Sequence, residues 1–251
     1  MAKTFIERQL EMVTNELAGK DVYTVLNEIA ERSKQNLILS EKDQSILGAV
    51  LGAILHQSYC DSRKLSEPNE DGLSNNPRLK KLEKDIDQDF IQDVKEGRIP
   101  TSPVLFIKDG NVYMDIANTD FVNLSPYWKK DNFMAGCAAT RTVITALQYK
   151  ELMENPQFRE CAEVLIANAI HESWIARENV YYDEYNGEVY TNQPLNTAFI
   201  QLPKDEQLKD SEHFIMAKQL VENVYALMHE KNMEGSKKKP TEPSTPGEMG
   251  E

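Results

Sequence analysis

The sequence has few cysteines and no cysteine motif. Three cysteines occur in 251 residues, at Cys60, Cys137 and Cys161, and no two of them form a C-x-x-C pair. An odd and widely spaced set argues against a disulfide framework and against a zinc site. We therefore expect reduced thiols in a reducing compartment.

Basic residues are also scarce. The chain has 28 lysines and arginines against 41 aspartates and glutamates, which gives a formal net charge of −13. Binding to phosphate groups depends on Lys and Arg, so neither a nucleic acid nor an anionic membrane is the expected partner. The one concentrated basic run, residues 237–239, lies close to the C-terminal end.

Long hydrophobic runs are absent too. The most apolar stretch, residues 46–55, is far shorter than the ~20 residues that span a bilayer. Its Gly48 and Gly52 are four residues apart, a spacing that favours a tightly packed core helix. The first residues are amphipathic and contain no apolar signal core, so we expect a soluble protein in the cytoplasm.

Motifs for catalysis and for cofactors are missing. The sequence has no P-loop, no G-x-G-x-x-G and no G-x-S-x-G. Acidic residues between Asp85 and Glu96 follow the spacing of a calcium loop, but Phe90 stands where that loop requires glycine. His171 lacks the second histidine four residues later that a zinc protease needs. We predict no catalytic residue, no metal site and no cofactor.

What the sequence does contain is an internal repeat. Residues 110–124 recur at 187–202, and His56-Gln57-Ser58-Tyr59 corresponds to His171-Glu172-Ser173-Trp174. Seven residues are identical and in the same order. They are Gly110, Val112, Tyr113, Asn118, Thr119, Phe121 and Leu124, which match Gly187, Val189, Tyr190, Asn196, Thr197, Phe199 and Leu202. We infer two copies of one supersecondary unit.

Each copy is predicted to be a helix, a β-hairpin, an N-T-x-F-x-x-L turn and a second helix. Asp109-Gly110 and Asn186-Gly187 both favour type I′ turns, which join paired strands. Apolar spacing predicts helices over residues 5–17, 22–30, 40–64 (with Ser40 as N-cap), 79–96, 132–153 and 209–231. The predicted fold class is therefore α+β and mainly α-helical, with two pseudo-symmetric repeats and N-terminal helices.

The same patterns divide the chain into four segments. Residues 1–39 form an N-terminal helical segment, and residues 40–153 form the first, more diverged unit with an inserted helix. Residues 154–232 form the second unit. Residues 233–251 are predicted to be a disordered tail, because Met is their only apolar residue type.

The second unit carries a set of family motifs. An alanine-rich helix face ends in His171-x-x-Trp174, followed by Tyr182 and Asn186-Gly187. Leu202-Pro203-Lys204-Asp205-Glu206 and Asp210 then precede the closing helix. In these features, residues 160–230 resemble the repeat domain of ryanodine receptors, which also occurs in bacterial and phage proteins.

The chain departs from that family in several places. Ser211 replaces the usual basic residue after the Asp, and the middle of the hairpin differs. Copy one has Tyr59 for the Trp and Leu124-Ser125-Pro126 for Leu-Pro. The resemblance implies tandem repeats that act as interaction and regulatory modules rather than enzymes. A nucleotide has been associated with one pair of receptor repeats.

The leading functional hypothesis is a non-enzymatic binding or scaffold module of bacterial or phage origin that recognises a protein or a small ligand. Two alternatives stay open: a sensor of adenine nucleotides or other small molecules, and a phage virion or assembly component, which a homo-oligomer would favour. His56 and His171 are expected to bond free backbone carbonyls near the helix ends. The candidate ligand-binding residues are Trp174, Tyr182, Asn196, Thr197, Asn118 and Thr119.

Overall fold

A computed structural model describes residues 5–148, 154–185 and 197–237. Long helices are combined with a small three-stranded antiparallel sheet, so the fold is α+β and mainly helical, as predicted. The helices are α1 (Phe5–Leu17), α2 (Val22–Ser33), α3 (Glu41–Ser62), α4 (Gln88–Lys95), α5 (Pro126–Leu147), α6 (Pro156–Tyr185) and α7 (Lys204–Lys237). The strands are β1 (Leu79–Lys81), β2 (Leu105–Lys108) and β3 (Asn111–Asp115).

The N-terminal helices begin at the side-chain caps that their sequences suggest. Asp21 accepts a hydrogen bond from the backbone N–H of Thr24 at 2.8 Å, which starts α2. Ser40 accepts one from the N–H of Asp43 at 3.1 Å, which confirms it as the N-cap of α3. Asp43 is buried and also binds Arg32 of α2 at 2.6 Å, so the cap joins two helices.

The first predicted hairpin is confirmed. β2 and β3 pair antiparallel, with Lys108 opposite Asn111 and Phe106 opposite Tyr113. Asp109 and Gly110 between them have φ angles of 49° and 74°, as a type I′ turn requires.

The inserted helix predicted over residues 79–96 is wrong in its first half. Leu79–Lys81 is β1, which pairs with β3 and extends the sheet to the order β1-β3-β2. A short 3-10 helix (Asp85–Asp87) follows and leads into α4. The backbone of β3 supplies the hydrogen-bond partners of this strand. β3 is distant in sequence, so the local spacing of apolar residues does not indicate the pairing. Gly97, with a φ of 74°, follows the end of α4.

The second predicted hairpin is also wrong in its first half. Residues 181–185 continue α6 instead of forming a strand. No proline or glycine interrupts the chain between Gln157 and Tyr185, and Asn-Gly is as typical of a helix end as of a hairpin turn. Gly187 and the remainder of that prediction, residues 186–196, lie outside the described residues.

The last two helices are longer than predicted. α5 begins at Pro126, because proline suits the first helical position. α7 runs from Lys204 to Lys237, so the first residues of the segment predicted to be disordered are helical. Residues 238–251 lie outside the described part of the chain.

Glycines bring α3 and α5 together. A Cβ atom on Gly136 would collide with the carbonyl oxygen of Gly48 and lie 2.6 Å from the backbone nitrogen of Gly52. A Cβ on Gly52 would lie 2.5 Å from the carbonyl oxygen of Asn132. The close packing expected from Gly48 and Gly52 is therefore observed. The main hydrophobic core forms around this crossing and includes residues of α1, α2, α6 and α7.

Candidate functional site

The two units share an equivalent histidine hydrogen bond. His56 donates from Nε2 to the carbonyl oxygen of Thr119 at 2.7 Å, and His171 donates in the same way to Thr197 at 2.8 Å. A short 3-10 helix follows each threonine, Phe121–Asn123 in the first unit and Phe199–Gln201 in the second. The histidines thus bond backbone carbonyls at equivalent places. The predicted position at the helix ends is wrong, because α3 continues to Ser62 and α6 to Tyr185, and the carbonyls of Thr119 and Thr197 lie outside these helices.

In the first unit, the N-T turn is held by its own polar groups. The buried Asp115 accepts hydrogen bonds from the backbone N–H groups of Arg78 at 2.8 Å and Ala117 at 3.1 Å. Its other oxygen accepts one from the side-chain amide of Asn118 at 2.8 Å. Thr119 donates its hydroxyl to the Asp115 carbonyl at 2.6 Å. Asn118 and Thr119, predicted as ligand-binding residues, therefore stabilise the turn, and neither lines the cleft described below.

The histidine environments differ between the units. Nδ1 of His171 lies 3.2 Å from a carboxylate oxygen of Asp210, whereas the position equivalent to Asp210 in the first unit is Asn132. Burial lowers the pKa of His56, which keeps that ring neutral. Both ring nitrogens of His171 lie beside oxygen atoms, one of the Thr197 carbonyl and one of the Asp210 carboxylate.

An aromatic ring lies on each histidine. Trp174 stacks on His171 with ring centroids 5.9 Å apart and planes at 15°. Tyr59 lies 6.3 Å from His56 at a more tilted 31°. Because the i, i+3 spacing puts each aromatic on the same helix face as its histidine, the two units present equivalent rings.

These two aromatic rings line a single cleft between the units. Its volume is about 630 Å³, and both α3 and α7 contribute to its walls. Leu55 and Leu202 are buried at its base, while Tyr59 and Trp174 are half-buried. The lining residues are Leu55, Ser58, Tyr59, Ser62, Arg78, His171, Trp174, Leu202, Glu206, Lys209, Asp210, Glu212, His213 and Met216.

The charged residues of the cleft are not all paired. Lys209 forms an ion pair with Glu206 at 2.6 Å. Arg78 has an exposed side chain, and no carboxylate of the described residues lies within ion-pair distance of its guanidinium. The backbone N–H of Arg78 donates a hydrogen bond to the Asp115 carboxylate, which holds the backbone from which the guanidinium extends.

The cleft contains only part of the predicted ligand-binding set. Trp174 lines it, and Thr197 lies behind it, where its carbonyl is bound by His171 and its hydroxyl donates to Gln201 at 2.5 Å. Tyr182 is on α6, and Asn196 lies outside the described residues. No feature of the sequence indicated Arg78, because it belongs to no motif. It reaches the cleft through the course of the loop before β1.

Two of the three thiols are poor nucleophiles. Burial raises the pKa of both Cys60 and Cys137 to about 11, so neither is a thiolate at neutral pH. Among the described residues, no group of three or more His, Cys, Asp or Glu side chains is arranged to hold a metal ion. In the same ranges, no helix combines the length and apolar character needed to cross a membrane.

Neither a scan against protein-family models nor searches of curated proteins and of solved structures found a match to this chain. Its function is therefore inferred from the cleft and the residues around it.

Proposed function

We propose that this chain is a non-enzymatic binding module whose binding site is the cleft between its two units. The observation that carries this proposal is the position of Tyr59 and Trp174, equivalent residues of the two copies, in one cleft of about 630 Å³. Pockets of roughly 300–1,000 Å³ are typical of small-ligand sites. The cleft therefore favours a small ligand over a flat protein surface.

The side chains define the chemistry of that ligand. A planar ring can stack on the half-buried indole of Trp174, above an apolar base formed by Leu55 and Leu202. Arg78 has planar geometry and several N–H donors, which suit a carboxylate or a phosphate group. We propose a planar ligand that carries a negative charge.

An adenine nucleotide is the specific candidate that these groups favour. Its base would stack on Trp174 and its phosphates would approach Arg78, the cationic side chain of the cleft that is not paired with a carboxylate of the described residues. The resemblance of residues 160–230 to ryanodine receptor repeats supports the same candidate. Origin from a bacterium or phage and residence in the cytoplasm belong to this proposal, and three free cysteines are consistent with a reducing compartment.

Binding without catalysis fits the histidine geometry. A general base needs a lone pair directed at the substrate. Both nitrogens of His171 instead face Thr197 and Asp210, so the ring stabilises the wall of the cleft.

The two tryptophans provide a direct test. Trp128 and Trp174 are the only tryptophans in the chain, and Trp128 packs against Tyr127 and Lys80 away from the cleft. The variant Trp128→Phe leaves Trp174 as the sole fluorescent reporter, and Trp174→Phe leaves Trp128. We expect ATP, ADP, AMP and cyclic nucleotides, titrated to millimolar concentration, to quench the first variant and leave the second unchanged.

Stability gives an independent measurement. A nucleotide at 100 times its dissociation constant should stabilise the fold by about 2.7 kcal/mol. Arg78→Gln should weaken that shift, and Arg98→Gln, which changes an arginine outside the cleft, should not. Equal quenching of both tryptophan variants would contradict the proposed site. Absence of a thermal shift with every nucleotide would exclude the nucleotide candidate and favour a protein partner.

A further inference from the structure

A second opening lies between α6 and α7 and has none of the cleft's lining residues. It is a groove of about 550 Å³. The apolar side chains along it remain in contact with solvent: Val164 is 41% exposed and Ile215 is 50% exposed, and the adjacent Leu165 is 66% exposed. We call this the α6/α7 groove. Its lining residues are Glu163, Val164, Ala167, Phe199, Ser211, Phe214, Ile215, Lys218, Gln219 and Glu222.

The equivalent helix face is covered in the first unit. With His56 aligned to His171, Val164 corresponds to Ala49 and Leu165 to Val50. Ala49 is 0% exposed and Val50 is 1% exposed. The same face of the repeated helix is thus buried in one copy and open in the other.

The amphipathic helix α1 packs on this part of the first unit. α1 contacts both α3 and α5, and its Leu10 and Val13 belong to the core cluster that contains Ala49 and Val50. Glu16 of α1 also pairs with Lys42 at the start of α3, at 2.5 Å. The chain itself therefore shows that this fold accepts an amphipathic helix along the pair of helices.

The helix pair of the second unit also packs less closely. Gly48, Gly52 and Gly136 bring α3 and α5 into contact, whereas the corresponding residues of the second unit are Glu163, Ala167 and Phe214. α6 and α7 contact each other less extensively than α3 and α5 do. The resulting groove can receive apolar side chains from an occupant.

Charge selects the kind of occupant. Glu163 and Glu222 are exposed on the lining of the groove, and neither forms an ion pair within the described residues. Lys218 is the one basic residue of the lining, so the acidic residues exceed it by one charge. A second copy of the chain would bring the same acidic excess and a net charge of −13 to the contact, which opposes self-association. An occupant with Lys or Arg beside its apolar stripe would complement these carboxylates.

We propose that the α6/α7 groove binds an amphipathic helix of a partner protein. That helix presents apolar residues at i, i+3, i+4 and i+7 to the groove and basic residues to Glu163 and Glu222. This site is separate from the proposed ligand cleft, and it does not depend on what the cleft binds.

The probe for this proposal is a fluorescein-labelled peptide of residues 4–18 carrying E7K, E11K and E16K. It keeps the apolar spacing of α1 and reverses the charge of its acidic positions. We expect saturable binding to the full chain by fluorescence anisotropy, at least tenfold weaker for Ile215→Glu, which changes an exposed apolar residue of the groove lining. Ile38→Glu is the matched control, because Ile38 is 71% exposed and lies outside the groove. The unmodified acidic peptide should bind more weakly than the basic one.

Cys161 provides a second readout, because it is exposed and lies three residues before Val164 on the same helix. The bound basic peptide should slow alkylation of Cys161. Equal binding to wild type and Ile215→Glu would overturn the proposal, as would no binding of the basic peptide to wild type at 1 mM. Sedimentation of the wild type as a dimer that Ile215→Glu converts to a monomer would assign the groove to a second copy, and would also overturn it.

Discussion

Replacing Gly136 with alanine should destabilise the protein although alanine is the better helix former. In the middle of a helix, alanine is favoured over glycine by about 0.8–1 kcal/mol. Here the added methyl group would meet the backbone of Gly48 and Gly52 rather than the end of a flexible side chain. Overpacking typically costs about 1–3 kcal/mol and costs more where the backbone must move. We expect Gly136→Ala to lower the free energy of unfolding by about 2 kcal/mol.

Urea unfolding followed by circular dichroism would measure this change. For a chain of this size, a loss of about 2 kcal/mol lowers Tm by roughly 4–8 °C. Ala138→Gly, two residues further along the same helix, is the control for helix propensity and should cost no more than about 1 kcal/mol. If Gly136→Ala is as stable as wild type or more stable, α3 and α5 do not approach at Gly136 and the packing described here is incorrect.

Three further predictions test buried and reactive groups. Burial raises the pKa of Asp87 from 3.8 to about 6, so its contribution to stability is lost as pH rises. The stability of wild type relative to Asp87→Asn should therefore fall by about 2 kcal/mol between pH 4 and pH 7, and an unchanged difference would show that Asp87 is solvated. Asp115→Ala leaves two backbone N–H groups without their acceptor and should cost at least about 3 kcal/mol in urea unfolding, whereas the exposed Asp120→Ala should stay within about 0.5 kcal/mol. Cys161 should react with a thiol reagent in the native state before the other two cysteines, and simultaneous reaction of all three would contradict their different burial.

Local chemistry in the sequence predicted local structure well. Ser40 and the Asp109-Gly110 turn are specified by neighbouring residues, and both have the predicted geometry. Leu79 was assigned to a helix because its partner in the sheet, Asp115, is distant in sequence. The Tyr-rich segment before Asn186 was assigned to a strand because Asn-Gly is compatible with two structures, and the helix α6 continued into it.

The candidate site was partly visible for the same reason. The repeat indicated that His171 and Trp174 are equivalent to His56 and Tyr59. It did not indicate that the histidines bond the carbonyls of Thr119 and Thr197, because those contacts join residues 63 and 26 positions apart. Tyr59 and Trp174 line the same cleft only because of how the two units pack against each other. The spacing of apolar residues in the sequence does not indicate that packing. Arg78 enters through a loop held by Asp115, a contact between residues 37 positions apart.

The histidine–threonine bond also has a consequence for how this unit tolerates insertions. It closes a span of 63 residues in the first unit and of 26 residues in the second. The entropy of closing a loop grows only with the logarithm of its length, so the longer span costs about 0.8 kcal/mol more. In the first unit the added length holds a sheet and α4. A foreign domain could therefore be grafted between the histidine and the threonine of either copy, and the bond itself would keep the two ends of the graft in place.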